Sequence, residues 1–116
     1  MHEFSLASSI LETVDESARQ SGASRVLKVS VVAGELVQVV DEAMHFAFEV
    51  LAEGTICEGA ELELSFVEPR SRCLDCGREF FHDARHWRCP ECGGPNTELL
   101  AGRELYIDSI EVDLPG

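Results

Sequence analysis

The sequence has few basic residues. Its 116 residues include nine lysines and arginines against 22 aspartates and glutamates, which gives a formal net charge of −13. A protein that binds nucleic acid needs a net basic surface to displace the counterions of the phosphate backbone, so this balance argues against such a partner. The acidic excess is uneven, because residues 1–69 carry −10, residues 70–98 carry zero and residues 99–116 carry −3.

Several kinds of segment are also missing. No apolar run approaches the length of a membrane-spanning helix. Glu3 and Ser5 stand where a secretory signal would have its basic region and apolar core, so we expect a cytoplasmic protein with reduced thiols. We find no phosphate-binding glycine loop, no nucleophile–base pair and no open catalytic metal site, and we therefore do not expect an enzyme.

What the sequence does contain is two C-x-x-C pairs. Cys73 and Cys76 form the first pair and Cys89 and Cys92 the second, with twelve residues between the pairs. A two-residue gap folds each pair into a tight knuckle whose sulfurs face inward, so four thiolates can reach one tetrahedral ion. Structural Zn(II) is the expected occupant, and iron in a rubredoxin-type site is the alternative. A reducing compartment and the duplicated pair make two disulfides or a redox pair weaker interpretations.

A glycine follows each pair, at Gly77 and Gly93. A knuckle turns sharply at this point, and glycine adopts the required positive φ without steric cost. Four cysteines complete the coordination of a tetrahedral metal, so we expect the metal to hold the fold and to perform no chemistry.

Three aromatic residues lie between the knuckles, at Phe80, Phe81 and Trp87. We expect them to form the small apolar filling of the metal-binding module. His82 and His86 lie in the same stretch, and with four cysteines available they are expected to be exposed polar residues.

The first three residues, Met1, His2 and Glu3, contain a second set of metal donors. A histidine at position two can chelate through the terminal amine, the deprotonated amide nitrogen of His2 and its imidazole Nδ1. Square-planar nitrogen donors of this kind suit Ni(II) and Cu(II). The alternative interpretation is an ordinary frayed chain end, which is the usual state of a terminus.

Hydrophobic periodicity predicts two helices and three long strands. The helical period fits the stretch after the N-terminus and a second stretch that opens at an aspartate, whereas a two-residue alternation fits the strands. The predicted elements are helices at Ser5–Gln20 and from Asp41 to just before Gly54, and strands at Arg25–Ala33, at Glu61–Val67 and from after Gly102 to about Leu114.

Three local features of the sequence give further predictions. Asp41 is expected to be the N-cap of the second helix, and a metal ligand is the alternative. Cys57, the odd cysteine, is expected to be a small buried apolar residue. The apolar phase of the last strand changes near Asp108 and Ser109, which predicts a bulge there.

The predicted fold class is α+β, with two helices packed on a small β-sheet and a zinc-ribbon module inserted between two strands. The last strand needs partners, and the first two long strands can supply them. The predicted domains are therefore an α+β domain formed by residues 1–69 plus 99–116, which includes the candidate N-terminal metal donors, and a zinc-binding module formed by residues 70–98.

The order of these motifs resembles the HypA-type hydrogenase maturation factors over the whole chain. The resemblance rests on Met1-His2-Glu3, on Gly34-Glu35 after the first long strand, on the Gly59-Ala60-x-Leu62 strand entry, and on the two C-x-x-C pairs followed by a final strand. It implies a nickel metallochaperone that helps to insert Ni(II) into [NiFe]-hydrogenase and, in some organisms, into urease.

The resemblance also implies site residues and partners. Ni(II) is cargo held by Met1 and His2, with Glu3 and Asp41 as secondary ligands, and Zn(II) is held by Cys73, Cys76, Cys89 and Cys92. The implied partners are a HypB-type nickel-handling GTPase, the hydrogenase large subunit and urease maturation proteins. A homodimer is possible. Two alternatives remain, a zinc-ribbon adaptor that binds only proteins and a rubredoxin-like electron carrier.

Overall fold

A computed structural model gives the fold and describes residues 2–115. Within this range the chain forms two α-helices, one short 3-10 turn and six strands. In chain order these are α1 (His2–Gln20), β1 (Arg25–Gly34), the 3-10 turn (Glu35–Val37), α2 (Asp41–Ala52), β2 (Glu61–Val67), β3 (Arg70–Cys73), β4 (Glu79–Phe81), β5 (Thr97–Ala101) and β6 (Leu105–Asp113). None of the helices in residues 2–115 is long and apolar enough to cross a membrane.

The predicted α+β class is confirmed, with its strands in two three-stranded sheets. The first sheet has the order β2-β1-β6, so the C-terminal strand finds the partners expected for it. The second has the order β4-β3-β5, and both of its pairings are antiparallel. In β6 the less exposed residues are Ile107, Ile110 and Val112, which matches the predicted change of phase. The bulge itself stays a prediction.

The chain divides into two compact units. The first unit comprises Met1–Val31, Val39–Ser65 and Tyr106–Gly116, and the second comprises Val32–Gln38 and Phe66–Leu105. The module expected at residues 70–98 lies inside the second unit. That unit is larger than the module, because it also takes in residues 32–38, 66–69 and 99–105.

The core of the first unit is built on the two helices. Each helix buries one stripe of residues spaced three or four apart, as the helical period requires. The buried residues are Ala7, Ile10, Leu11, Val14 and Ala18 in α1, and Met44, Ala47, Phe48 and Ala52 in α2. Cys57 is 1% exposed and belongs to the same apolar interior, as expected.

Helix α1 begins at His2, three residues before the predicted start. Two contacts in the first unit explain the extension. The ring of Phe4 packs edge-on against Phe46 of α2, with 6.2 Å between the ring centroids. Glu3 lies in the first turn of α1, where a negative charge complements the partial positive charge of the helix end.

The prediction that Asp41 caps α2 is wrong. Val40 is the N-cap residue, Asp41 is the first helical residue, and the cap makes no side-chain hydrogen bond. The acceptor comes from α1 instead, because the backbone N–H of Val40 donates to Glu3 Oε2 at 3.1 Å. The Asp41 carboxylate is therefore left for another partner.

Gly34 occupies a position in the second unit where only glycine fits. Its N–H donates to the carbonyl oxygen of Glu104 at 2.6 Å, and the N–H of Leu36 donates to the carbonyl oxygen of Gly102 at 2.9 Å. A β-carbon on Gly34 would overlap the backbone carbonyl of Gly102. The close approach of two backbones thus explains the glycine that ends β1.

Candidate metal centre

The four cysteines are presented by two similar knuckles. Cys73 is the last residue of β3, and the chain then turns so that the N–H of Gly77 donates to the carbonyl oxygen of Cys73 at 2.8 Å. In the second knuckle the N–H of Gly93 donates to the carbonyl oxygen of Cys89 at 2.9 Å. Gly77 and Gly93 have φ of +80° and +70°, so the predicted use of glycine for a left-handed turn is confirmed.

The knuckles bring all four sulfurs together. The Sγ atoms of Cys73, Cys76, Cys89 and Cys92 lie within 4.8 Å of one another. Two contacts cross between the knuckles, at 3.6 Å for Cys73 with Cys92 and 3.6 Å for Cys76 with Cys89. Tetrahedral Zn(II) with bonds of about 2.3 Å separates its sulfur ligands by roughly 3.8 Å, so the arrangement fits the ion. All four cysteines are free thiols and none is in a disulfide.

The electrostatics of the cluster favour a bound cation. The backbone N–H groups of Cys92 and Glu91 point at the Cys89 sulfur and lower the pKa of that thiol to about 7. The N–H of Arg78 acts in the same direction on Cys76, but hydrogen bonds with the thiols of Cys89 and Cys73 outweigh it and raise the pKa of Cys76 to about 12. Four neighbouring thiols cannot all ionise without compensation, and a multivalent cation supplies that compensation.

The aromatic filling of the module is smaller than predicted. Phe80 is 7% exposed and packs with Cys73 and Cys89. Phe81 is 63% and Trp87 42% exposed, so the expectation that they are filling is wrong. Successive residues of a strand point to opposite faces, so β4 can bury only one of its two phenylalanines in this small core.

The two histidines of the module are held by polar groups. His82 is half-buried, with its Nε2 at 2.7 Å from the hydroxyl oxygen of Ser71. His86 is 80% exposed, as expected, and its Nδ1 lies 2.8 Å from Asp83 Oδ2. Neither belongs to the sulfur cluster, which contains cysteines alone.

Among the described residues, the predicted ligands His2, Glu3 and Asp41 do not form a ready-made cluster. Within residues 2–115 the four cysteines are the only convergent group of metal-type side chains, and Met1 lies outside the described residues. His2 is 53% exposed, and its Nδ1 lies 3.8 Å from Glu3 Oε2. Glu3 is only 15% exposed. The N–H of Val40 holds the pKa of the Glu3 carboxyl below its usual value, with smaller contributions from other groups, including His2.

Asp41 contacts His45, a histidine to which the sequence pattern assigned no role. His45 Nδ1 lies 3.1 Å from Asp41 Oδ1 and 2.9 Å from the backbone carbonyl oxygen of Asp41, and its Nε2 lies 2.9 Å from the carbonyl oxygen of Leu62. Carbonyl oxygens can only accept, so both ring nitrogens must donate. The carbonyl of Asp41, followed by that of Leu62, accordingly raises the pKa of His45 despite some burial. The i, i+4 spacing was the signal that could have revealed this pair.

Comparison with known protein families gives a match over nearly the whole chain. A family described as "Hydrogenase/urease nickel incorporation, metallochaperone, hypA" matches residues 1–112. The hydrogenase maturation factor HypA of Chlorobium luteolum is 40% identical over 116 residues, which cover 100% of this chain and 99% of that protein. The HypA of Dehalococcoides mccartyi strain CBDB1 is 40% identical over 113 residues, covering 97% and 95% of the two chains.

Two solved structures resemble the fold. The solution structure of the Ni metallochaperone HypA from Helicobacter pylori has a TM-score of 0.69 and 27% identity, and the match covers 99% of this chain and 100% of that one. A second solution structure of a HypA protein has a TM-score of 0.72 and 28% identity, with 97% and 96% coverage.

Proposed function

The chain belongs to the HypA family of metallochaperones for nickel incorporation, and we propose that it carries Ni(II) at its own N-terminus. The proposed ligands are the Met1 amine together with the amide nitrogen and imidazole Nδ1 of His2. Glu3 and Asp41 are proposed as secondary ligands. Zn(II) is proposed for Cys73, Cys76, Cys89 and Cys92. A metallochaperone transfers metal and is not an enzyme.

The observation that carries the nickel proposal is the start of α1 at His2. The first four N–H groups of an α-helix have no intrahelical acceptor, so the amide nitrogen of His2 is free to lose its proton to a metal. The imidazole of His2 is exposed, while Glu3 ties the same turn to Val40 at 3.1 Å. The imidazole of His2 is thus accessible to a partner and lies in a helical turn that is tied to α2.

The same position favours release. A helix start carries a partial positive charge that opposes a cation by about 0.3–1 kcal/mol. An exposed site of nitrogen and oxygen donors holds metal less firmly than four thiolates do. Weak but selective binding is what transfer to an acceptor protein requires.

The cysteine site has the opposite character. Four thiolates close the coordination of zinc, which leaves no position for a substrate or for exchange with a partner. The chain's own contribution is to hold the sulfurs at contact distance through Gly77, Gly93 and the end of β3. We propose that this site is structural, with iron as the alternative occupant that a colour test separates from zinc.

The proposed acceptor is the large subunit of [NiFe]-hydrogenase, with urease maturation as a second destination. A HypB-type GTPase is proposed as the partner that supplies nickel or assists its delivery. The proposed location is the cytoplasm. Family membership supports maturation partners in general. Each named partner remains a proposal.

The test is a calorimetric nickel titration of the zinc-loaded protein, with metal content measured on every sample. We expect about one equivalent of Ni(II) in the wild type, and its loss in His2→Ala and in a form with an acetylated N-terminal amine, with zinc retained. Asp41→Ala should lose less affinity than either, because its carboxylate is already paired with His45. Ser5→Ala, an exposed change in the same helical turn, is the matched control.

Two results would overturn the nickel proposal, and a third would overturn the zinc proposal. Unchanged nickel binding in both N-terminal variants would place the nickel elsewhere. An absence of nickel binding in the wild type would favour the zinc-ribbon adaptor, and a red protein would favour iron.

A further inference from the structure

The segment between β4 and the second knuckle forms an open groove of about 500 Å³. Its lining includes two aromatic side chains that the fold leaves in solvent, Phe81 at 63% and Trp87 at 42% exposure. Aromatic residues and arginine are enriched at the centres of protein interfaces. We call this surface, formed by Phe81, Asp83, Arg85, Trp87 and Arg88, the aromatic groove.

The aromatic groove has more basic than acidic side chains, with Arg85 and Arg88 against Asp83. Within residues 2–115, neither Arg85 nor Arg88 makes a salt bridge, whereas the three other arginines of the metal module are each paired with a glutamate: Arg70 with Glu79, Arg72 with Glu98, and Arg78 with Glu91. Arg88 instead lies over the ring of Trp87, 5.4 Å from its centroid. Its Nη1 also donates to the carbonyl oxygen of Gly93 at 3.4 Å, and the guanidinium has further N–H donors for an incoming acceptor.

The one carboxylate in the groove is already occupied. Asp83 Oδ1 accepts the backbone N–H groups of Arg85 and His86, each at 2.8 Å, and also contacts the His86 ring. The His86 ring and these N–H groups lower the pKa of Asp83 to about 2. These bonds hold the turn in shape. Asp83 stays ionised and is 63% exposed, but its contacts are with its own loop, and within residues 2–115 it makes no salt bridge with Arg85 or Arg88.

We propose that the aromatic groove binds an acidic segment of another protein that carries an aromatic or aliphatic side chain among its carboxylates. Two carboxylates would pair with Arg85 and Arg88, and the apolar side chain would cover Phe81 and Trp87. A net charge of −13 opposes nucleic acid and also opposes a second copy of this chain, whereas a short acidic segment can use local attraction within a Debye length. None of the groove residues is a proposed nickel or zinc ligand, so this inference stands apart from nickel delivery.

The chain has one tryptophan, and it lies in the groove, so its fluorescence reports on this surface alone. The experiment titrates the zinc-loaded full chain with short peptides of equal length: acidic with a phenylalanine, acidic without an apolar residue, neutral with a phenylalanine, and basic with a phenylalanine. We expect the first to change the Trp87 emission at the lowest concentration and to bind less tightly as salt is added. Arg85→Gln, Arg88→Gln and Phe81→Ser should each weaken it by about fivefold or more.

Matched controls separate this binding from general effects. Arg103→Gln removes an exposed arginine outside the groove, and Leu74→Ser removes a half-exposed apolar side chain of the metal module outside the groove. Both should bind the peptide as the wild type does, and all variants should keep zinc. The proposal is overturned if the four peptides bind alike, if the controls lose as much as the groove variants, or if Trp87 emission changes with protein concentration alone, which would assign the groove to a second copy.

Discussion

The two candidate metal sites differ in how much of the fold each one needs. The donors proposed for nickel are adjacent in the sequence, at Met1 and His2, and the fold contributes mainly the anchor between Glu3 and Val40. The cysteine site takes its donors from two knuckles separated by twelve residues, and the sheet β4-β3-β5 and its turns bring the sulfurs within 4.8 Å. The proposed nickel site is at the start of α1 in the first unit, whereas the cysteine site joins the two knuckles of the second unit.

On the proposed assignment, this difference corresponds to two tasks, the transfer of nickel and the retention of zinc. A metal bound at the end of a helix can leave without loss of packing, because the core of the first unit consists of apolar side chains, most of them from α1, α2 and β1. A metal that joins two knuckles cannot leave so easily, because the second unit has a cluster of only three buried residues, Cys73, Phe80 and Cys89, beside it. In this proposal, the metal to be transferred is held by donors that are adjacent in the sequence. The metal to be retained is held by donors from two knuckles that the fold brings together.

The largest effect should follow from removal of a zinc ligand. Cys73→Ala deletes a sulfur that is 0% exposed and belongs to the small apolar cluster of the module. Because metal binding and folding are coupled in such sites, with on the order of 10 kcal/mol at stake, we expect loss of zinc and of order in residues 70–101. Zinc content and amide hydrogen exchange measured together check this, and α1 should keep its protection.

A chelator applied to the wild type should reproduce that result, and added zinc should reverse it. If the amides of β3 and β5 stay protected without metal, the module has a stable core of its own. The contrast between the two sites would then be one of affinity alone.

The next largest effect is expected at Glu3. This residue can act as a nickel ligand, or it can anchor the first turn of α1 to the Val40 N–H. Glu3→Ala removes both roles, whereas Glu3→Gln keeps an oxygen that can accept the Val40 N–H. If anchoring dominates, Glu3→Ala should weaken nickel by about tenfold and lower the melting temperature of the nickel-free protein, and Glu3→Gln should recover most of both. Equal nickel losses in the two variants, with unchanged nickel-free stability, would identify Glu3 as a direct ligand.

The pH dependence of the free energy of unfolding gives an independent check on the contact between Glu3 and the Val40 N–H. The pKa of the Glu3 carboxyl is lowered from its ordinary value near 4.5 in the folded protein, so the unfolded state takes up the proton first as the pH falls. The stabilisation by ionised Glu3 is therefore present above that value and is lost as the pH falls through the folded pKa. The stability difference between the wild type and Glu3→Gln should shrink over that range, and a difference that is constant with pH would contradict the anchor.

Local patterns in the sequence predicted most of the architecture. The C-x-x-C spacing and its two glycines were enough to predict the knuckles, because a knuckle depends only on neighbouring residues. Alternation was enough for β2, which spans Glu61–Val67 as predicted. The place of β6 beside β1 followed from the need of an apolar strand for partners.

The failures occurred where the packing of the folded chain decided between residues of suitable type. Asp41 has the right composition and position for an N-cap, but Glu3, 37 residues before Val40, supplies an acceptor at that helix end. Phe81 has the right hydrophobicity for a core, but the alternation within β4 leaves room for Phe80 alone. In each case the residue type was informative, and the outcome depended on contacts that no local window contains.

The smallest effect should come from Cys57, the cysteine that belongs to neither site. It is 1% exposed, and burial raises the pKa of its thiol, so the reactive thiolate is scarce. With zinc bound we expect no rapid reaction of the protein with a thiol reagent, and after chelation we expect four thiols to react at once and a fifth only on denaturation. Cys57→Ala should remove the slow thiol alone, cost about 1 kcal/mol of stability for the lost packing, and leave both metals bound. A fifth fast thiol after chelation would mean that the apolar core of the first unit opens with the metal, and the independence of the two sites would then fail.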